Sequence, residues 1–356
     1  MARALQLAEH GRYAAHPNPM VGCVIAHDSE IVAEGWHAVA GDAHAEINAL
    51  QAAGDRARDS SVYVTLEPCA HHGKTPPCTD ALIEAGVAEV VVGLEDPNPR
   101  VSGAGLEALR GAGIAIRTGL LETEVQELNR GFIKRVTLGR PWVRLKVAAS
   151  LDGRTAMASG ESQWITGPEA RGDVQKLRAA SGAVVTGIGT VLADDPSLNV
   201  RDATLDTHGK QPLRIVLDTA LRMPVSAQTL SLPGETLVYC TDDRDRGPLV
   251  DAGAEVVKVA AGADGLTDIG AVLDDLGKRE INDLLVEAGP TLAGSLLVAD
   301  YLDELVIYQA PHIMGSETRG MFQTPAWTQL GNRRALEITD VRKVGADTRI
   351  TARLAG

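Results

Sequence analysis

Three potential metal donors stand on separate segments of this chain: His44 in His44-Ala45-Glu46, Cys69 directly after Pro68, and Cys78. This pattern constrains the fold more than any apolar run does. Imidazole and thiolate serve one ion only where their segments meet at one point. Apolar, β-rich runs precede both His44 (residues 21–26 and 31–36) and Cys69 (61–66). Helical spacing follows both, at 44–53 and 79–85. For one ion to use all three, these segments must converge.

Zinc takes neutral imidazole and thiolate ligands, and a catalytic zinc keeps one of its four positions open for water. One His and two Cys leave that position. Glu46, two residues past His44, points across the same site without binding metal. There it can take a proton from the water and return it to a leaving amine. Zinc-dependent nucleobase deaminases carry H-x-E followed by P-C-x-x-C. Here eight residues, AHHGKTPP, separate the two cysteines in place of two. Lengthening a surface loop costs little closure entropy, so both thiolates can still converge. The strand–Pro–Cys–helix order also supplies a helix N-terminus that helps keep the thiolates ionised. The competing arrangement is a closed structural zinc with His71 or His72 as fourth ligand. Cys23 and Cys240 read as small buried hydrophobes.

At 356 residues the chain is long enough for two cores. Apolar residues make up 44% and charged residues 23%, the balance of a globular protein. A formal net charge of −13 and only 3% aromatic residues argue against a nucleic-acid groove. No run of about 18 apolar residues occurs, and MARALQLAEHGRYAAHPNP is not a signal peptide. The expected setting is the cytoplasm, away from nucleic acid and membrane, with a small-molecule substrate and a homo-oligomeric protein. Further strands are expected at 89–94 and 114–117, helices at 106–110 and 121–136. Gly139-Arg140-Pro141 then punctuates the chain. The expected domains are 1–139 and 140–356. In the second, strands near 142–149, 183–186, 213–217, 236–240, 255–259, 283–287 and 304–309 alternate with helices near 169–180, 268–276 and 291–299, and a terminal hairpin turns around Gly345-Ala346-Asp347. That order implies a mostly parallel sheet with an antiparallel edge.

The second domain carries weaker chemical signals. Gly187-Ile188-Gly189-Thr190 follows a strand but lacks the third glycine of a dinucleotide fingerprint. Gly289-Pro290-Thr291-Leu292-Ala293-Gly294-Ser295 runs from a strand into a helix, where free N–H groups and hydroxyls suit a phosphate. Gly-Pro at such a junction is equally common as plain punctuation.

The stretches HPNPMVGCVI, GDAHAEINAL, VTLEPCAHHGKTPPCTDALI, EDPNPRVSGAG, LKVAASLDGRTAMASGESQWIT, GTVLADDPSLNVR and LLVEAGPTLAGSLL together resemble the bifunctional riboflavin-biosynthesis enzymes, a pyrimidine deaminase fused to a reductase. The resemblance implies an α/β protein with an N-terminal cytidine-deaminase-like three-layer domain and a C-terminal dihydrofolate-reductase-like domain. It implies zinc and NADPH as cofactors, with 2,5-diamino-6-ribosylamino-4(3H)-pyrimidinone 5′-phosphate first deaminated and its ribosyl group then reduced to ribityl. His44, Cys69 and Cys78 match the family's zinc ligands and Glu46 its proton shuttle. Asn18, His37, His71 and Lys74 match deaminase-substrate positions. Ala148, Trp164, Thr190, Asp194, Thr219 and the seven residues Gly289–Ser295 match cofactor positions. Ser162, Arg178, Leu198, Arg201 and Glu287 match reductase-substrate positions, the two arginines being natural phosphate partners. For the proton transfer that accompanies ring opening, Lys146, Asp152 and Glu287 are the candidates.

Overall fold

The computed structural model describes residues 1–70, 76–98, 102–242 and 244–354. Two compact units emerge: Met1–Arg140 with Asp206–His208, and Pro141–Leu205 with Gly209–Gly356.

Unit 1 contains helix α1 (Ala2–Ala8), strands β1 (Gly22–His27) and β2 (Glu30–Trp36), α2 (Ala45–Ala53), β3 (Ser61–Leu66), α3 (Cys78–Ala85), β4 (Glu89–Leu94), α4 (Ala104–Gly111), β5 (Ala115–Thr118), α5 (Glu122–Leu128) and α6 (Arg130–Leu138). The sheet order is β2-β1-β3-β4-β5, with β1 antiparallel to both its neighbours and β3, β4 and β5 parallel. Alternation along β1 sends Cys23 and Ile25 to one face, with Ala45, Leu82, Leu106 and Leu109 from α2, α3 and α4. Val24 goes to the other face, against Ala4 and Leu7 of α1. On that side Val125 of α5 also packs on Leu66 and Leu94. Helices on both faces make three layers. Leu82 and Leu109 are fully buried, each contributing about 1.5–3 kcal/mol of apolar burial.

Close contacts set the helices. A Cβ on Gly35 would lie 2.4 Å from the Ala45 carbonyl oxygen, so α2 rests directly on β2 and its first residues are fixed over the sheet end. The single helix expected over 121–136 is two, broken at Asn129 (φ −111°, ψ 19°). The Asn129 side chain pairs with the backbone of Met20, accepting from its N–H at 2.8 Å and donating to its carbonyl at 2.9 Å. That local exchange outweighs helix continuity.

Unit 2 runs β6 (Trp142–Ser150), β7 (Arg154–Ala156), α7 (Pro168–Ala179), β8 (Ala183–Gly187), α8 (Ile188–Asp194), β9 (Leu213–Leu217), α9 (Gln228–Ser231), β10 (Thr236–Cys240), α10 (Gly247–Asp251), β11 (Ala254–Lys258), α11 (Ile269–Lys278), β12 (Asp283–Val286), α12 (Pro290–Val298), β13 (Glu304–Ala310), β14 (Arg319–Gly320), β15 (Leu336–Val344) and β16 (Asp347–Leu354). Its nine-stranded sheet has the order β11-β10-β9-β8-β12-β6-β13-β16-β15. Every pair from β11 to β13 is parallel, and β16 and β15 close the edge antiparallel. The short α8, α9 and α10 and the β7–β14 pair have no strong periodicity and were not expected. Neighbouring strands β8 and β12 lead into α8 and α12, and the strands that continue the sheet lie on opposite sides of them. That junction is where open α/β sheets bind ligands.

Candidate metal centre and cofactor cleft

In unit 1 the three donors come from element ends. His44 caps α2 with extended backbone (φ −73°, ψ 164°). Cys69 follows β3, and Cys78 is the first residue of α3. The His44 Nδ1 atom is 3.2 Å from Cys78 Sγ and 3.6 Å from Cys69 Sγ. All three ligand atoms lie within 4.8 Å of one another. A zinc tetrahedron with Zn–S near 2.3 Å and Zn–N near 2.1 Å has edges of roughly 3.5–3.8 Å, so the set fits the ion. The Cys78 N–H, opening α3, donates to Cys69 Sγ at 3.4 Å. Bonds from Cys78 first, and then from His44, hold the Cys69 thiol down to about 4 against its burial. Its bond to Cys69, with burial, drives the Cys78 thiol up, so the pair already favours one thiolate.

Glu46 lies in the first turn of α2, 3% exposed, and burial pushes its carboxyl up to about 7. A carboxyl poised there can both accept and return a proton near neutrality. His37 is buried, its ring 5.5 Å from that of His44 and edge-on to it. His37 Nδ1 donates to the Ala43 carbonyl at 3.1 Å, leaving Nε2 to accept from the Asn18 amide at 3.0 Å. Asn18 and His37 are thus brought to the metal set. His71, His72 and Lys74 lie outside the described residues. Cys23 is fully buried on β1, where burial raises its thiol well above the ordinary range, and Cys240 is buried in unit 2. Sequence reasoning passed over Thr79, whose N–H and hydroxyl both donate to the Cys69 carbonyl at 3.2 and 3.3 Å, and over Glu67. The carboxylate placed directly before Pro68-Cys69 was the available signal for Glu67.

In unit 2 the candidate residues gather at the carboxyl ends of the parallel strands. Ala148 and Lys146 are on β6, Glu287 follows β12, Arg178 is on α7, and Thr190 and Asp194 are on α8. Thr219 follows β9, its hydroxyl 3.1 Å from that of Thr267. Ser162 Oγ is 3.5 Å from Asp194 Oδ1. Trp164 is exposed, with the Arg171 guanidinium 4.7 Å over its ring. Leu198 is buried, with φ at 50°.

Arg178 departs from the expected phosphate partner. Its Nε and Nη2 donate to the two Glu287 oxygens at 2.6 and 3.1 Å, and Nη1 donates to the Asn199 carbonyl at 3.0 Å. Its bidentate edge is spent inside the protein, which leaves the exposed Arg201 as the cation nearer solvent. Burial alone would raise the Glu287 carboxyl, but Arg178, then Lys146 and Arg201, pull it below the usual range. Burial lowers Lys146. Asp152 is different: the Ser150 hydroxyl first, then the N–H groups of Met314 and Gly315, hold it at about 2, so it anchors that loop as an ion.

The glycines separate two causes. A Cβ on Gly294 would lie 1.8 Å from the Gln323 carbonyl oxygen, a packing requirement. At Gly187, Gly189 and Gly289 a Cβ would meet no heavy atom within 4 Å. The φ values of Gly187 and Gly289, −93° and −73°, are ordinary for any residue. Protein packing does not call for glycine there, so the helix-start N–H groups are open to close approach by a phosphate, and the residues present suit one.

Residues 1–94 match the family model described as the cytidine and deoxycytidylate deaminase zinc-binding region, and residues 141–350 match the RibD C-terminal domain. Riboflavin biosynthesis protein RibD of Escherichia coli is 49% identical over 358 residues, covering 98% of this chain and 96% of that protein. A solved structure of Acinetobacter baumannii RibD has a TM-score of 0.94 at 43% identity, covering 100% of this chain and 98% of that one. A diaminohydroxyphosphoribosylaminopyrimidine deaminase/5-amino-6-(5-phosphoribosylamino)uracil reductase from Thermotoga maritima gives 0.88 at 34% identity, covering 100% and 97%.

Proposed function

The chain belongs to the RibD family of bifunctional riboflavin-biosynthesis proteins, and from that premise we propose a division of labour among its own residues. The deaminase acts on 2,5-diamino-6-ribosylamino-4(3H)-pyrimidinone 5′-phosphate, water replacing the 2-amino group as ammonia. The reductase then reduces the ribosyl group of 5-amino-6-(5-phosphoribosylamino)uracil to ribityl with NADPH. We place the boundary between the activities in Gly139-Arg140-Pro141.

His44, Cys69 and Cys78 hold the zinc, which supplies Lewis acidity at this point when bound. Glu46 moves the proton from water to the departing amine. Asn18 and His37, paired beside the metal set, orient the pyrimidine, while His71 and Lys74 hold the ribose phosphate. In unit 2 the N-terminal turn of α12, Gly289–Ser295, receives the cofactor diphosphate, with Ala148, Trp164, Thr190, Asp194 and Thr219 completing its seat. The nicotinamide supplies hydride. Lys146 and Glu287 flank the reacting sugar and move its proton on ring opening, and Asp152, held ionised by its loop, does not. Ser162, Arg201 and Leu198 form the substrate side, and Arg178 acts through Glu287.

No helix among the described residues is long and apolar enough to cross a membrane. We read the protein as a cytoplasmic enzyme that meets neither membrane nor nucleic acid. Edge strand β15 leaves Leu336, Ile338 and Val341 exposed, a surface suited to association of two copies. The observation that carries the reading is the convergence of His44, Cys69 and Cys78 within 4.8 Å beside buried Glu46. Mass analysis of the diamino ribotide incubated with zinc-loaded protein tests it. Deamination adds about one mass unit, and NADPH then adds about two. No gain without NADPH would sink the deaminase assignment.

A further inference from the structure

Glu67 stands between β3 and Cys69 and is 5% exposed. Its Oε2 accepts the backbone N–H groups of Asp96 at 3.0 Å and Gly103 at 3.1 Å. Its Oε1 accepts those of Gly105 at 2.8 Å and Leu106 at 3.3 Å. A carboxylate has about four lone-pair sites, so one short stretch of chain, leading from β4 into the first turn of α4, fills its capacity. The same stretch presses on the metal loop. A Cβ on Gly105 would lie 2.1 Å from the Pro68 carbonyl oxygen, so α4 seats on the peptide directly before Cys69. From the other side, Thr79 ties the Cys69 carbonyl to the start of α3.

We propose that Glu67 is a positioning residue of the deaminase: by clamping residues 96 and 103–106 to the Pro68-Cys69 turn, it fixes the Cys69 sulfur relative to His44 and Cys78. An apolar side chain could fill the same volume but would leave four N–H groups without acceptors. A metal donor must be held within about 0.5 Å of its productive position, and a turn gripped through a single carboxylate meets that demand better than loop packing. The proposal rests on the reading of His44, Cys69 and Cys78 as zinc ligands.

Glu67→Gln keeps the size but turns an NH2 group toward two N–H donors, breaking half of the clamp. Gly105→Ala keeps Glu67 and pushes on the Pro68 carbonyl. Both are made in the full-length protein and loaded with one zinc. Release of zinc to a chelator should be about tenfold faster in each, the scale seen when the support of a metal ligand is removed. In the cobalt-substituted protein the thiolate-to-cobalt absorption band should shift. Deamination kcat should fall by about the same factor with KM for the ribotide within about twofold. NADPH-dependent reduction of pre-deaminated substrate should not change. A folded variant with wild-type zinc release and cobalt spectrum overturns the proposal, whatever its melting temperature. Failure of both variants to fold does so too, since Glu67 would then serve folding alone. Wild-type protein that holds no zinc overturns the ligand reading instead.

Discussion

In unit 1 the candidate metal set is made of three side chains, His44, Cys69 and Cys78, and either cysteine can be disabled by exchanging one atom, sulfur for oxygen. In unit 2 the candidate site combines backbone N–H groups at a helix start with an Arg178–Glu287 pair beside Lys146. A side-chain site fails abruptly when its donor changes, while a backbone site degrades in proportion to the bulk put in its way. The first kind advertises itself in residue identity. The second is visible mainly in what surrounds a glycine.

Several substitutions can break or sharpen this contrast. Cys69→Ser should remove nearly all bound zinc and with it all measurable deamination, because a hydroxyl is a poor zinc ligand beside a thiolate. Reduction should persist, and Cys23→Ser should keep one zinc per chain by elemental analysis. A Cys69→Ser protein with its full zinc would remove that residue from the ligand set.

Glu46→Gln should keep the metal and lose deamination by roughly 10²–10⁴-fold, the usual range for a positioned acid–base group. A wild-type rate from this variant would mean that the proton moves by another route.

Arg178→Gln should cost unit 2 about 3 kcal/mol at neutral pH, since it leaves the buried Glu287 charge without its bidentate partner. The sign with pH follows from the lowered carboxyl. Glu287 in the wild type contributes stability that is complete above the ordinary glutamate range and is lost as pH falls through its depressed value. In the variant that depression is relieved, so less stability is lost on acidification and the gap between wild type and variant should narrow as pH falls through the glutamate range. Denaturant melts of unit 2 across the acid range measure it, and superimposable pH profiles for wild type and variant would refute it.

Gly289→Val should raise KM for NADPH at least tenfold, about 1.4 kcal/mol of binding. A Cβ at that position meets no heavy atom within 4 Å and φ is ordinary, so melting and deamination should stay near wild type. Normal cofactor kinetics in this variant would take the diphosphate away from the start of α12.

Much of the frame was legible in the residues. The apolar runs at 61–66, 89–94, 213–217 and 236–240 are strands with the expected ends, because a strand buried on both faces writes itself as a continuous apolar run. The strand-to-helix junctions that carry His44 and Cys78 were equally plain, and residue chemistry pointed to the three candidate donors that the fold brings within 4.8 Å of one another. Helix α1 was not read, as its amphipathic face is only seven residues long and is seated by the absence of a side chain at Gly22, where a Cβ would lie 2.0 Å from the Ala4 carbonyl oxygen. The unbroken periodicity of 121–136 hid the stop at Asn129, whose partner, Met20, is 109 residues away.

What the sequence determined by itself was therefore what depends on local pattern and on atom type: most element spans, the sheet class, and which nitrogen and sulfur atoms are candidate donors. Tertiary structure alone decided which partner each polar group took. Arg178 and Glu287 are 109 residues apart, and nothing in either segment says that the guanidinium meets a carboxylate before it meets a phosphate. Gly289 and Gly294 look alike in one short motif, yet one has open space and the other has Gln323 against its backbone. Glu67 reads as one more acidic residue until four N–H groups from beyond β4 converge on it. Pairing of this kind is a property of distances between remote segments, and those distances exist only once both units have folded.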